Sequence, residues 1–222
     1  MSKESTPRIA DATPAARVGF GGLLGLLEGS NAVEWGRIRA AQLHAGRRMA
    51  PFLLAANLAG AAATVLLLNG AVERWRLWGW FAAVAAVAVA VAFRRFLSPH
   101  RPNGQARAED VRNTAPEGLA LAAAWSAVPI LFCGQVASGA VGQLGIVLAI
   151  LMTAAAFALA PLTLAALGFL LGLGFAIVGQ LAFVGETGAA SGTAAFTLLL
   201  ASICIGRARA LAVLRGAELA LG

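Results

Sequence analysis

Ionisable side chains within apolar segments are the first place to look for chemistry, because burying them is costly and they persist there mainly for function. This chain offers few. Glu109, Asp110 and Glu117 share one polar stretch and are the carboxylates available for an acid–base reaction on lipid at a membrane surface. Glu109-Asp110 followed by Arg112 reads first as a solvated helix start. Glu186 stands between Gly185 and Thr187-Gly188, at the end of an apolar run where it can reach water. His44 and His100 lie outside the apolar runs, which argues against a haem held by intramembrane histidines. Cys133 and Cys204 fall inside apolar runs without a CxxC and read as small space-filling thiols. No apolar run supplies a His or Lys to act as base for a serine. The sequence thus predicts no catalytic residue, no metal site and no cofactor, and an enzyme is not expected from this chain.

The polar groups that remain are uncharged: Asn57, Ser126, Gln135, Gln143, Thr153, Gln180, Ser191, Thr193, Thr197 and Ser202. In a membrane such residues mostly hydrogen-bond between helices. Asn57 and Gln180 are the largest of them near mid-span and, with Trp125, are the candidates for a ligand pocket. Gly168 and Gly172 form a GxxxG, followed by Gly174, a spacing that lets helix backbones approach closely either inside a bundle or between two chains. Pro129 should kink its helix or open it locally.

The elements that must hold these residues are legible from charge. Met49–Val72 is uncharged, as is Leu77–Phe93; Gly118–Gly185 carries no charge over 68 residues, and Thr187–Gly206 none over 20. A membrane helix needs roughly 20 apolar residues. The long run must break twice, at the polar stretch Cys133–Gly139 and at Pro161. Spans are therefore expected at about 50–70, 77–94, 118–135, 142–160, 163–184 and 189–206. All must be helices, since backbone groups in lipid have to pair within their own segment. The composition agrees: 59% of the 222 residues are hydrophobic and 12% charged, against about 45–50% and about 25% in soluble domains. The fold class is all-α, a polytopic bundle of six transmembrane helices.

Orientation follows from Lys and Arg. Fifteen of the 17 fall before span 1, between spans 2 and 3, or after span 6; only Arg74 and Arg76 fall on the other side. The positive-inside rule puts both termini in the cytoplasm. The net charge of +7 fits anionic lipid rather than nucleic acid. Trp75, Trp78 and Trp80 open span 2 as boundary indoles. Residues 1–30 read as a disordered or surface-lying leader. Residues 31–48 form a helix entering span 1, capped by Asn31 with Glu34 three residues on, and with Trp35, Ile38 and Gln42 on one face. Residues 207–222 continue span 6 as a cytoplasmic signalling helix, in which Leu211, Leu214 and Leu221 fall on a 3-4-3 pattern interrupted at Glu218.

The stretch Arg37–Leu43 before span 1, Met49-Ala50-Pro51 and Ala56-Asn57 within it, Trp75 to Trp80, the Arg94-Arg95 exit, Trp125 early in span 3 and Arg207 to Leu221 after span 6 form a layout. In it residues 31–222 resemble the six-span N-terminal membrane sensor region of bacterial, especially alphaproteobacterial, signalling proteins. There the region precedes a GGDEF diguanylate cyclase, often with an EAL phosphodiesterase, or a histidine kinase. No GGDEF, EAL or kinase motif occurs in this sequence. The resemblance therefore implies an input module of the bacterial inner membrane whose catalytic output lies outside this chain. It implies lipids, a second copy of the chain and an unidentified small-molecule or membrane stimulus as partners. A small transporter or channel is the alternative from another class, although no internal repeat or buried charge points to it; a membrane enzyme acting on lipids through Glu109, Asp110 and Glu117 is the third.

Overall fold

A computed structural model describes residues 32–97, 106–136 and 138–220, with side chains from 36 to 214 apart from Ser138. The expected leader, the Asn31 cap, His100 and Leu221 lie outside the described residues, as does the Trp35 side chain.

The chain folds as helices α1 (Ala32–Leu68), α2 (Arg74–Leu97), the short α3 (Ala108–Arg112), α4 (Ala115–Phe132), α5 (Ser138–Ala158), α6 (Thr163–Phe183) and α7 (Thr187–Ala220), with one 3-10 turn at Cys133–Gln135. Six of them are long and apolar enough to cross a membrane. The chain is an all-α, multi-pass membrane protein. Its apolar side chains point outward as well as inward: Leu66, Phe175 and Phe183 are each at least three-quarters exposed, an arrangement suited to lipid and not to water.

Sequence dictates where the helices stop. α1 and α2 are joined by a tight turn at Gly70, and α6 and α7 by one at Gly185, each with φ near +85° (87° and 85°), where a side chain would be strained. Pro161 falls in the turn between α5 and α6. Pro51 and Pro129, in contrast, sit inside α1 and α4, which continue through them. Only the carbonyl four residues back loses its donor there, and the flanking turns hold the helix together.

One end of the bundle carries α3, the α5–α6 turn and the overhanging parts of α1 and α7. This is the arginine-rich end. At 1.5 Å per residue, α1 with 37 residues and α7 with 34 are each about 50–55 Å long, against about 30 Å of hydrocarbon. The overhang of α1 is tied down: Ala106 N–H donates to Gly36 O at 3.0 Å, and Arg47 Nη2 donates to Phe96 O at 2.9 Å. At the opposite end, Trp75 and Trp78 face outward beside Arg74 and Arg76. Trp80 does not join them. It is turned into the core, because in a helix a residue two past Trp78 lies on another face.

The core runs through α1, α2, α4, α5 and α6, with Leu200 and Cys204 of α7 against it. Glycines set the closest helix approaches. Gly118 of α4 lies on the backbone carbonyl of Ala165 in α6, Gly172 of α6 lies on the Ala122 methyl, and Gly174 of α6 lies on the Thr197 side chain of α7.

Candidate functional site

The buried positions of α2 fall at Leu77, Trp80, Val84, Ala88, Val91, Ala92 and Arg95. This is a stripe with 3- and 4-residue steps that packs on α1 and α4. Two groups on it organise the site. The first is Trp80, whose Nε1 donates to Ala124 O of α4 at 2.9 Å. Its ring meets Trp125 edge-on at 5.3 Å and Phe132 at 6.2 Å. Trp125, fully buried, donates from Nε1 to Asn57 Oδ1 of α1 at 2.8 Å, and Asn57 Nδ2 donates to Leu53 O one turn back at 2.8 Å. Gly60 makes room for this indole: a Cβ there would lie 3.2 Å from Trp125 Cη2. One satisfied chain of indole and amide donors thus pins α1, α2 and α4 to one another. In hydrocarbon each of those donors, left alone, costs on the order of 1–3 kcal/mol.

The second group is Arg95. Its Nε donates to Glu117 Oε2 of α4 at 3.0 Å, and the two side chains are 6% and 7% exposed. A buried pair of this kind is costly to desolvate and needs its remaining donors satisfied. Here they are not: Arg95 Nη1 and Nη2 are buried without an acceptor. Arg95 also lines a cleft between α1 and α2, closed on the α4 side by Leu121 and walled by Ala50, Leu53, Leu54, Asn57, Ala88, Val91 and Ala92. Counting the open space at its mouth, the cleft holds about 200 Å³, none of it wide enough for a whole water molecule. Asn57 therefore belongs to both features: its amide holds the indole and its side chain lines the cleft that ends at Arg95.

No family model, curated protein or solved structure matches this chain.

The sequence-predicted pocket residues divide. Asn57 and Trp125 are bonded to each other; Gln180 is half-buried in the last turn of α6 and does not line the cleft. Of the uncharged polar side chains, Asn57 bridges helices through Trp125 as expected, but six others bond locally. Ser126, Gln135, Thr153, Thr193, Thr197 and Ser202 each donate to the carbonyl four residues back on their own helix, the nearest acceptor a hydroxyl finds in lipid. Gly168, Gly172 and Gly174 face α4 and α7 within the bundle. Leu211 and Leu214 are exposed on α7, while Ala208 and Ala212 are buried. The three loop carboxylates do not cluster. Glu109 is exposed, Asp110 Oδ2 accepts from Arg107 N–H at 2.9 Å, and Glu117 lies inside α4, buried against Arg95.

The burial and pairing of Glu117 and Arg95 are what sequence reasoning missed. Charge-free boundaries end one residue short of Glu117 and two short of Arg95. The missing signal was periodicity: stepping 3 or 4 residues from Leu77 through Trp80, Val84, Ala88 and Val91 lands on Arg95.

Proposed function

We propose that this chain is the sensory input and dimerisation module of a bacterial inner-membrane signalling protein, with its arginine-rich end in the cytoplasm and α7 as the helix that carries the signal out. The observation that carries this reading is α7 itself. It is one helix from Thr187 to Ala220, with buried positions from Ala190 to Ala212, and it leaves the bundle with Leu211 and Leu214 uncovered. A chain of rigid contacts connects it to the cleft. α4 closes the cleft through Leu121, Gly118 and Ala122 of α4 bear on Ala165 and Gly172 of α6, and Gly174 of α6 bears on Thr197 of α7. Movement of α4 away from α1 and α2 must then displace α6 and α7, because close-packed backbones transmit shifts that flexible side chains absorb. A stimulus acts by preferring one of the two arrangements. Cyclic-di-GMP turnover or histidine-kinase activity is the output that the sequence resemblance suggests.

Cysteines placed singly at Leu211 and Leu214, in a chain with Cys133→Ala and Cys204→Ala, test it in native membranes. Oxidative cross-linking between subunits is expected at both positions, with yields that change when Asn57→Leu loosens the site. Monomeric chains at both positions in every background would remove the reading.

A small transporter is the second reading, favoured by the buried Arg95–Glu117 pair, since ionisable residues within membrane helices often mark pathways. Solute or proton flux in liposomes that stops with Glu117→Gln would establish it.

A further inference from the structure

We infer that the Arg95 cleft is a binding site for an oxyanion carried on an unbranched alkyl chain, such as a fatty carboxylate or the phosphate and acyl portion of an anionic lipid. The inference stands on the cleft's own geometry and does not require that binding be signalled through α7. Three observations support it. First, Glu117 takes only the Nε hydrogen of Arg95, so both terminal amino groups, buried and without acceptors, are left for a second partner. Two N–H groups on adjacent guanidinium nitrogens match the paired oxygens of a carboxylate or phosphate. Second, the rest of the wall is hydrocarbon from Ala50, Leu53, Leu54, Ala88, Val91 and Leu121, so the occupant must be apolar beyond its head. Third, the lining runs over two turns of α1, from Ala50 to Asn57, and of α2, from Ala88 to Arg95, so the cleft follows the helix axes. Any occupant must part the helices, and among apolar occupants an unbranched chain needs the least parting. The exposed Arg48, two residues from Ala50, adds positive charge at this end of the bundle, which concentrates anions there.

The head and chain chemistry is shared by a free fatty acid arriving from water and by a lipid of the surrounding leaflet. Protein in nanodiscs of neutral phosphatidylcholine is irradiated with a diazirine-bearing straight-chain carboxylate, and the label is mapped by peptide mass spectrometry. Label is expected on 50–57 of α1 or 88–95 of α2. Unlabelled octanoate is expected to compete, whereas octanol, lacking the head, and acetate, lacking the chain, are not. Arg95→Gln with Glu117→Gln should lower cleft labelling by roughly tenfold or more, a step of about 1.4 kcal/mol in affinity, while labelling of the lipid-facing Phe175 and Phe183 stays constant. Replacing part of the phosphatidylcholine by phosphatidylglycerol distinguishes the sources. Reduced cleft labelling means that a lipid head occupies the site, and unchanged labelling means that the free carboxylate does. If the double variant does not fold, the octanoate and octanol competition on the natural chain decides alone. Label confined to the outer faces, or cleft label that octanol displaces as well as octanoate, overturns the inference.

Discussion

Arg95 Nε and Glu117 Oε2 are 3.0 Å apart across the α2–α4 contact, in side chains 6% and 7% exposed, an ion pair buried between two membrane-spanning helices.

Removing one member leaves the other charged and buried. Arg95→Leu or Glu117→Leu alone is expected to cost about 3–5 kcal/mol, whereas the double replacement should recover most of that, because a buried pair exchanged for hydrocarbon of similar volume is often neutral or stabilising. Denaturant unfolding of the four proteins in mixed micelles measures this. Losses that simply add would mean that the two side chains do not depend on each other.

The Asn57–Trp125 bond is of another kind, neutral and fully satisfied at 2.8 Å. Asn57→Leu and Trp125→Phe should therefore each destabilise. Their coupling in a double-mutant cycle should be about 0.6–1.7 kcal/mol, the range for hydrogen bonds between membrane helices. Trp125→Phe should lose less than Asn57→Leu, since the former strands the Asn57 Oδ1, an acceptor, and the latter strands the indole N–H, a donor that is costlier to orphan. The reverse order would show that the indole acts here by packing alone.

How far all this could be read from sequence depends on which physical signal was available. The spans follow from the cost of charge in lipid, and α5 and α6 break at Pro161 because proline cannot continue the ladder. The site was half legible. Asn57 and Trp125 were singled out as a large amide and an indole, but their bond spans 68 residues of sequence and is created by the α1–α4 packing. Trp80 was taken for a boundary indole with Trp75 and Trp78, although its helical phase turns it inward. Glu117 and Arg95 fell outside the charge-free runs by construction: a boundary drawn at the first charge cannot show that the charge itself is buried. Gln180 had the composition of a pocket residue but sits near the end of α6, away from the cleft.

The glycines give the last prediction, because their neighbours differ in how far each can yield. A methyl at Gly118 meets the backbone carbonyl of Ala165, which no rotamer change can move. A methyl at Gly172 meets the Ala122 Cβ at 2.9 Å, also rigid, and one at Gly174 meets Thr197 Oγ1 at 2.5 Å and Cγ2 at 2.6 Å, where the branched Cβ leaves an atom in the way in every rotamer. At Gly179 a methyl meets open space. Overpacking a close contact costs about 1–3 kcal/mol, occasionally more, whereas alanine in an unobstructed helix position is up to about 1 kcal/mol better than glycine. The expected order of destabilisation is Gly118→Ala, then Gly174→Ala, then Gly172→Ala, with Gly179→Ala neutral or slightly stabilising. Thermal unfolding in detergent gives the order, and the oligomeric mass of each variant gives a second reading. The Gly168–Gly172 face packs on α4 of its own chain, near Ala115, Leu119 and Ala122, so Gly172→Ala should lower the unfolding temperature at unchanged oligomeric mass. A variant that keeps its unfolding temperature but changes mass would instead place this face between two chains. A Gly118→Ala protein as stable as Gly179→Ala would show that α4 and α6 are not in backbone contact, and with that the proposed route from the cleft to α7 would be lost.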